Sequence, residues 1–473
     1  MIKIKAHIDN WGEKMKNVED YLDNVQLSKH HFKAMFVSGM GFFTDAYDLF
    51  IIGIAISLIA PLWKLDNAQI GMLGSISLVS ALIGAVVFGR IADRFGRKTV
   101  YGVEAMIMAA GAILSAFSPD FIWLLLSRFL LGIGIGGDYP VSAVIMSEYS
   151  NKKDRGKLVS LVFSMQALGL IAGPLIALGL LGLNINQDLS WRLMLGIGAI
   201  PALMVIYLRR QIPESPRFTS QVLGNTQKAA EAASKFTGQN VNLKIEEPSY
   251  KKHSNLMNFF KNKNLMITLL GTAGSWFLLD YAYYGNTIST PIVLNALSSA
   301  MTLESKILYT LLIFLIFAVP GYILSILLID KIGRKSIQLI GFMIMGVSFL
   351  MLGIFPEIEK QIGLFFAIYG ISYLFTEFGP NTTTFVMPSE LFPTEYRTTG
   401  HGFSAGIGKV GAFLGTLLFP IVIASVGFNR TFIIISAISF AGILTTVLLK
   451  EPKGESLENV SNVKTTRSVK NET

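Results

Sequence analysis

Cysteine is absent from the 473 residues, which excludes a disulfide framework, thiolate metal ligation and thiol nucleophiles. Charge is scarce too: Asp, Glu, Lys and Arg make up 15% of the chain, against about 25% in soluble domains. Only five histidines occur, and the adjacent pair His30 and His31 is too isolated for a metal site. No metal, cofactor or catalytic group is expected. The first thirty or so residues are charged and weakly amphipathic, without the apolar core of a secretory leader, and read as a cytoplasmic arm.

What the chain has instead is apolar sequence, at 52% of its residues. Windows long enough to cross a bilayer, about twenty residues, fall near 33–60, 68–92, 98–118, 121–147, 157–182 and 191–209. A second six fall near 265–293, 304–330, 336–355, 361–388, 398–424 and 429–449. This predicts an all-α membrane protein of twelve spanning helices in two six-helix bundles, over 33–210 and 265–450. A cytoplasmic arm over 1–32, a polar linker over 211–264 and a tail over 451–473 complete the organisation.

Basic residues orient it. Arg90, Arg94, Arg97 and Lys98 follow the second window, Lys152, Lys153, Arg155 and Lys157 the fourth, and Lys331, Arg334 and Lys335 the eighth. Short loops rich in Lys and Arg stay cytoplasmic, which puts both termini inside. The net charge of +9 is then a topology signal, and no nucleic-acid partner is expected.

The two halves echo each other. GRIADRFGRK at 89–98 returns as ILLIDKIGRK at 326–335, so Asp330 follows Asp93 by 237 positions (330 − 93). SEYSNKKDRG at 147–156 returns as SELFPTEYRT at 389–398, with Glu390 following Glu148 and Arg397 following Arg155 by 242 positions (390 − 148, 397 − 155). Repeated halves imply a central site between them, near the bilayer midplane.

Ionisable groups inside the spans are candidates by their cost alone. Asp138, in GIGIGGDYPVSAVI, must face a cavity or a partner, and neighbouring Tyr139 offers a hydroxyl. Asp45 and Asp48 lie three residues apart on one helical face, where two carboxylates in low dielectric favour holding one proton. Glu104 is a further acid near a cytoplasmic end. In the second half Trp276, Asp280 and Tyr284 form a stripe at i, i+4 and i+8, and Lys409 lies deep in the eleventh window. Asn381 follows Gly379 and Pro380, where proline frees backbone groups to line a cavity.

Two nucleotide signatures are false leads. GIGIGG has no preceding strand, and close helix packing explains its glycines. GRKS at 333–336 lacks the upstream glycine of a P-loop.

The 89–98 loop, PESPR at 213–217 and the PKGESLE tail resemble the major facilitator superfamily and its sugar-porter-like branch. GGDYPVSAVIMSEYSNKKDRGKLVSLVFSMQALG at 136–169 is similar to the stretch that marks proton-coupled inorganic phosphate symporters, as are WFLLDYAYYG, FGPNTTTF and SAGIGKVGA in the second half. One departure is Ile326 where the first loop has Gly89, which touches only how tightly that turn packs.

The resemblance implies proton-coupled phosphate uptake by alternating access in a cell membrane, by a chain expected to be monomeric. It places substrate on Tyr139, Gln166, Trp276, Asp280, Tyr284, Asn381 and Lys409; Gln166 becomes a ligand only through it. Asp45, Asp48, Asp138 and Glu104 would carry or gate protons. Asp93, Arg97, Glu148, Arg155, Asp330, Arg334, Glu390 and Arg397 would latch the cytoplasmic ends, and Arg128, which with Gly132 resembles an arginine motif of the superfamily, would serve structure or coupling. Two alternatives remain beside it. One is a sugar or organic-anion transporter, disfavoured by Lys409 and by the lack of paired glutamines in the seventh window. The other is a non-transporting nutrient sensor.

Overall fold

Apolar runs of bilayer length can satisfy their backbone only as helices, and among the described residues the computed structural model contains twelve that are long and apolar enough to span. It describes residues 17–238, 241, 255–288, 290, 293–294, 301–358 and 360–461. The spans are α1 Lys29–Trp63, α2 Ala68–Phe95, α3 Arg97–Ala116, α4 Phe121–Tyr149, α5 Arg155–Gly182 and α6 Gln187–Gln211. The second set is α7 Lys263–Ile288, α8 Leu303–Ile332, α9 Arg334–Ile354, α10 Ile362–Leu391, α11 Arg397–Val426 and α12 Phe428–Val447. Parts of the expected arm, linker and tail (1–16, 239–240, 242–254 and 462–473) lie outside the described residues.

Local chemistry sets the ends. Asp66 and Gln69 form a reciprocal capping box at the start of α2. Asp120 and Thr302 cap α4 and α8 by accepting from backbone N–H groups. Five spans are not regular throughout: α3 breaks at Gly102 (φ +102°), α5 at Met165 and α6 at Gly198. α8 and α10 contain π-turns at Phe314–Ala318 and Glu377–Asn381.

The glycines of GIGIGG do pack helices. A Cβ on Gly136 would strike the Ala81 carbonyl of α2, and one on Gly134 the Glu104 carbonyl of α3, so α4 lies backbone to backbone against both. Across the halves α2 packs along α11 and α5 along α8. At the centre the halves meet through aromatic contacts, Phe42 with Phe385 at 4.8 Å and Tyr139 with Trp276 at 5.8 Å between ring centroids.

Outside the spans, the short helices Val18–Asn24 and Pro216–Gln221 and the segment around Glu458 are drawn together by one buried side chain. Arg217 donates to Asp23 and to Glu458, each at 2.5 Å. Burial alone would push the Glu458 carboxyl up, but the Arg217 guanidinium outweighs it and holds the group down at about 2.

Candidate functional site

Lys409 is the only cation deep in α11, and the structure supplies its partners. Its ammonium donates to Tyr284 Oη at 3.0 Å and to Asp280 Oδ2 at 3.3 Å. It also sits 4.5 Å from the ring centroid of Tyr284 and 4.6 Å from that of Tyr139, so aromatic faces help compensate it. Trp276, one turn before Asp280, packs its indole against the Tyr139 ring. Lys409, Asp280, Tyr284, Trp276 and Tyr139 are therefore one cluster, with Tyr139 reaching in from the opposite half. All five are buried.

Beside it stands a first-half cluster. Asp45 Oδ2 accepts from Tyr139 Oη at 2.6 Å and from Gln166 Nε2 at 3.2 Å, while Asp45 Oδ1 has no hydrogen-bond partner. Gln166 Nε2 also reaches Tyr139 Oη at 3.1 Å, and Gln166 Oε1 accepts from Tyr322 Oη of α8 at 3.2 Å. Asn381 Nδ2 donates to that same Tyr322 hydroxyl at 3.2 Å. The two clusters have corresponding positions in the repeat. Asp45 and Gln166 lie on the first and fifth helices of one half, Asp280 and Lys409 on the first and fifth of the other.

Asp138 corrects the sequence expectation that it converges with Tyr139 and Gln166. Successive helical residues point about 100° apart, and Asp138 faces away from the centre toward α6. Arg209 holds it bidentately at 2.7 and 3.0 Å, and Ser142 donates to it at 2.7 Å. Arg209 also donates to Glu104 Oε1 at 2.8 Å, so two carboxylates share one guanidinium. Gly41 makes this possible, since a Cβ there would collide with both Asp138 and Arg209. Asp48 is likewise separate from Asp45: Arg128 Nη1 lies 3.6 Å from its carboxylate and Arg128 Nη2 donates to its carbonyl at 2.8 Å.

At the end carrying the basic loops the repeated motifs lock crosswise. Asp93 accepts from Thr398 N at 3.3 Å and Thr399 N at 2.6 Å, capping α11. Asp330 accepts from Gly156 N at 3.1 Å and Lys157 N at 2.7 Å, capping α5. A carboxylate at a helix N-terminus meets both free N–H groups and the positive end of the dipole. Glu148 binds Arg97 of its own half at 3.1 Å and Arg397 of the other at 2.9 Å. Glu390 repeats the pattern with Arg334 at 2.8 Å and Arg155 at 3.5 Å. Gly89 lets α2 and α11 touch here, since a Cβ would lie 2.5 Å from Thr398 O; Ile326, its counterpart, is half-buried. This end of the molecule is shut.

Sequence reasoning passed over Arg209, Tyr322 and Glu377. Glu377 carried the same signal as Asp138, an acid inside an apolar span. Arg209 stood beside Arg210 at the edge of its window and resembled a loop charge.

A family model described as "Sugar (and other) transporter" matches residues 33–463. Inorganic phosphate transporter 1-11 of Oryza sativa subsp. japonica is 36% identical, with 94% of this chain and 90% of that protein covered. Inorganic phosphate transporter 1-4 of Arabidopsis thaliana is also 36% identical, covering 93% of this chain and 94% of that one. Among solved structures, the major facilitator superfamily proton:xylose symporter XylE bound to 6-bromo-6-deoxy-D-glucose superposes with a TM-score of 0.74 at 18% identity, covering 92% of this chain and 99% of that chain. An inward-open XylE from E. coli gives 0.64 at 20% identity, covering 92% and 99%. At these identities the structural likeness concerns the fold.

Proposed function

This chain belongs to the sugar (and other) transporter family and has the major facilitator fold, and from that premise we propose that it imports inorganic phosphate together with protons by alternating access. The observation that carries the substrate is the buried Lys409–Asp280 pair with hydroxyl and indole donors around it. A sugar needs no cation, whereas an anion taken from water needs one. Phosphate keeps at least one proton at neutral pH and sulfate keeps none. A site that joins a cation to a carboxylate acceptor therefore suits a protonated oxyanion and repels a bare one. Its similarity to phosphate transporters over both halves supports the same reading.

In this reading Lys409 neutralises the anion, Asp280 accepts its proton-bearing oxygen, and Trp276, Tyr139, Tyr284, Gln166 and Asn381 fix the other oxygens. Asp45 is the principal proton carrier, since one of its buried carboxylate oxygens has no hydrogen-bond partner and no cation among the described residues pairs with it. Asp138 and Glu104, sharing the Arg209 guanidinium, gate protons beside the centre, and Asp48 with Arg128 ties α1 to α4. The crosswise latches close the cytoplasmic face, with both termini on that side of a cell membrane.

Labelled-phosphate uptake into proteoliposomes, with and without an inward proton gradient, tests the proposal. Accumulation that depends on the gradient is expected. Phosphate binding without uptake would favour the sensor alternative, and sugar-driven proton entry would overturn the substrate.

A further inference from the structure

Among the buried acids of the spans, Glu377 of α10, like Asp45, has no Lys, Arg or His within ion-pair distance among the described residues, and unlike Asp45, which feels nearby Lys409, it has no cation acting on it from a neighbouring cluster. Its position is built by the backbone. Gly379 is non-helical (φ −107°, ψ −107°) next to Pro380, and the π-turn Glu377–Asn381 leaves the Glu377 carbonyl to the Thr382 hydroxyl at 2.7 Å. Such turns gather at functional sites in membrane helices. Gly321 of α8 gives the side chain room, since a Cβ there would lie 2.9 Å from Glu377 Cβ.

The groups facing Glu377 are neutral. Asn381 donates to its Oε2 at 2.5 Å, and Oε1 makes no hydrogen bond of normal geometry, with the hydroxyls of Tyr322 (α8) and Tyr283 (α7) beside it. Tyr373 stands near on α10 itself. α9 approaches through Ile337 and Gly341, which carry no charge, and its Arg334 is engaged by Glu390 and Asp330. An ionised carboxylate with only neutral neighbours in an apolar span is costly, so this acid holds a proton unless its surroundings change.

It is also wired to the centre. From Glu377 the chain runs through Asn381 to Tyr322, from Tyr322 to Gln166, and from Gln166 to Asp45 and Tyr139. Tyr322 has a single hydroxyl proton, now donated across the halves to Gln166 Oε1. A carboxylate at Glu377 would compete for that proton and win, because charge-assisted hydrogen bonds are about twice as strong as neutral ones.

We propose that Glu377 is a second exchangeable proton site of the transporter, and that its protonation decides whether Tyr322 bridges the two halves. Bound proton makes a neutral acid and leaves Tyr322 on Gln166. Release of that proton to the gradient's low side makes a carboxylate, which takes the Tyr322 hydroxyl and lets α5 part from α8.

This rests on the proton-coupled phosphate reading, and the test separates the two. In proteoliposomes, wild type and Glu377→Gln are compared for protons moved per labelled phosphate and for uptake between pH 5 and 8. Gln mimics the protonated acid, so the proton-to-phosphate ratio should fall by one and the pH profile should lose a titration step, with phosphate binding in detergent within about threefold. Glu377→Asp, which still titrates, should restore the ratio. If Glu377→Gln fails to fold, Glu377→Asn serves for the same measurement. An unchanged ratio and profile in the neutral variant overturns the inference; a wild type that moves no phosphate with protons overturns the reading beneath it.

Discussion

Lys409→Met removes the one cation of the central cluster and should damage binding and stability for different reasons. The ammonium makes charge-assisted contacts to Tyr284 and Asp280 and lies over two aromatic rings. A hydrogen bond to a charged group contributes about 1.5–3 kcal/mol net. If phosphate takes the place of Asp280 on Lys409, its loss should weaken the equilibrium dissociation constant roughly 10- to 150-fold, at 1.4 kcal/mol per decade. The same substitution strands Asp280 in an apolar surrounding, and removing one partner of a buried pair costs about 3–5 kcal/mol, less whatever the acid recovers by taking up a proton. Adding Asp280→Asn removes the stranded charge. The double variant should thus regain most of the thermal stability and none of the affinity.

Phosphate binding to detergent-solubilised protein and thermal unfolding of the same samples read the two effects apart. A single variant that binds within threefold of wild type would refute Lys409 as the anion's counter-charge. A double variant as unstable as the single one would refute the pairing. Sulfate competition adds a third reading: Asp280→Asn should admit sulfate that wild type excludes, and equal exclusion by both proteins would remove Asp280 from substrate recognition.

Gly89→Ala should force α2 from the Thr398 carbonyl of α11 and loosen the shut end; in this cysteine-free chain, a reporter cysteine at buried Ser147 should then react faster with a membrane-impermeant maleimide, and an unchanged rate would contradict the contact. Arg209→Met leaves Asp138 and Glu104 without their shared cation and should destabilise by about 3–5 kcal/mol, whereas adding Asp138→Asn and Glu104→Gln should recover most of the loss in a melting experiment. Glu458, held at about 2 by Arg217 against the effect of burial, contributes stability that is complete above its ordinary value near 4.5 and is lost as pH falls through 2. The melting difference between wild type and Glu458→Gln should therefore stay constant from pH 7.5 to 5; a difference that vanishes by pH 5 would show that Arg217 does not hold the carboxylate.

The spans were legible because hydrocarbon thickness dictates length, and each of the twelve windows falls on a membrane-length helix. Lys409 and Asp280 were legible because charge inside a span is costly, whatever its partner. Depth along a helix can be read from sequence, but azimuth against a distant helix cannot. That is why Asp138 was grouped with Tyr139, although the Arg209 it meets lies 71 residues on. It is also why the crosswise pairing was hidden: the repeats at 89–98 and 326–335 disclosed equivalent loops, while the partner of each Asp is a helix start more than 170 residues away. Tyr322 carried no signal of its own, since an aromatic residue in an apolar span is ordinary packing.

The polarity of the shut end has an energetic reason. An apolar seal between the halves would release surface to water on opening, at about 25 cal/mol per Å², and no small ion could repay that. The backbone part of the seal is instead four hydrogen bonds, from Thr398, Thr399, Gly156 and Lys157 to two aspartates. On opening each of these bonds to a charged carboxylate is exchanged for water at a net cost of about 1.5–3 kcal/mol, or about 6–12 kcal/mol for the set. Turning a two-state equilibrium from 1:99 to 99:1 takes about 5.5 kcal/mol of differential affinity. In the proposed mechanism a phosphate held by Lys409, together with protons on Asp45 and Glu377, would have to supply a difference of that order. The backbone latch is therefore of the same order as that difference or above it, which is why a seal of polar contacts that water can replace, and not one of buried apolar surface, suits a carrier that must open.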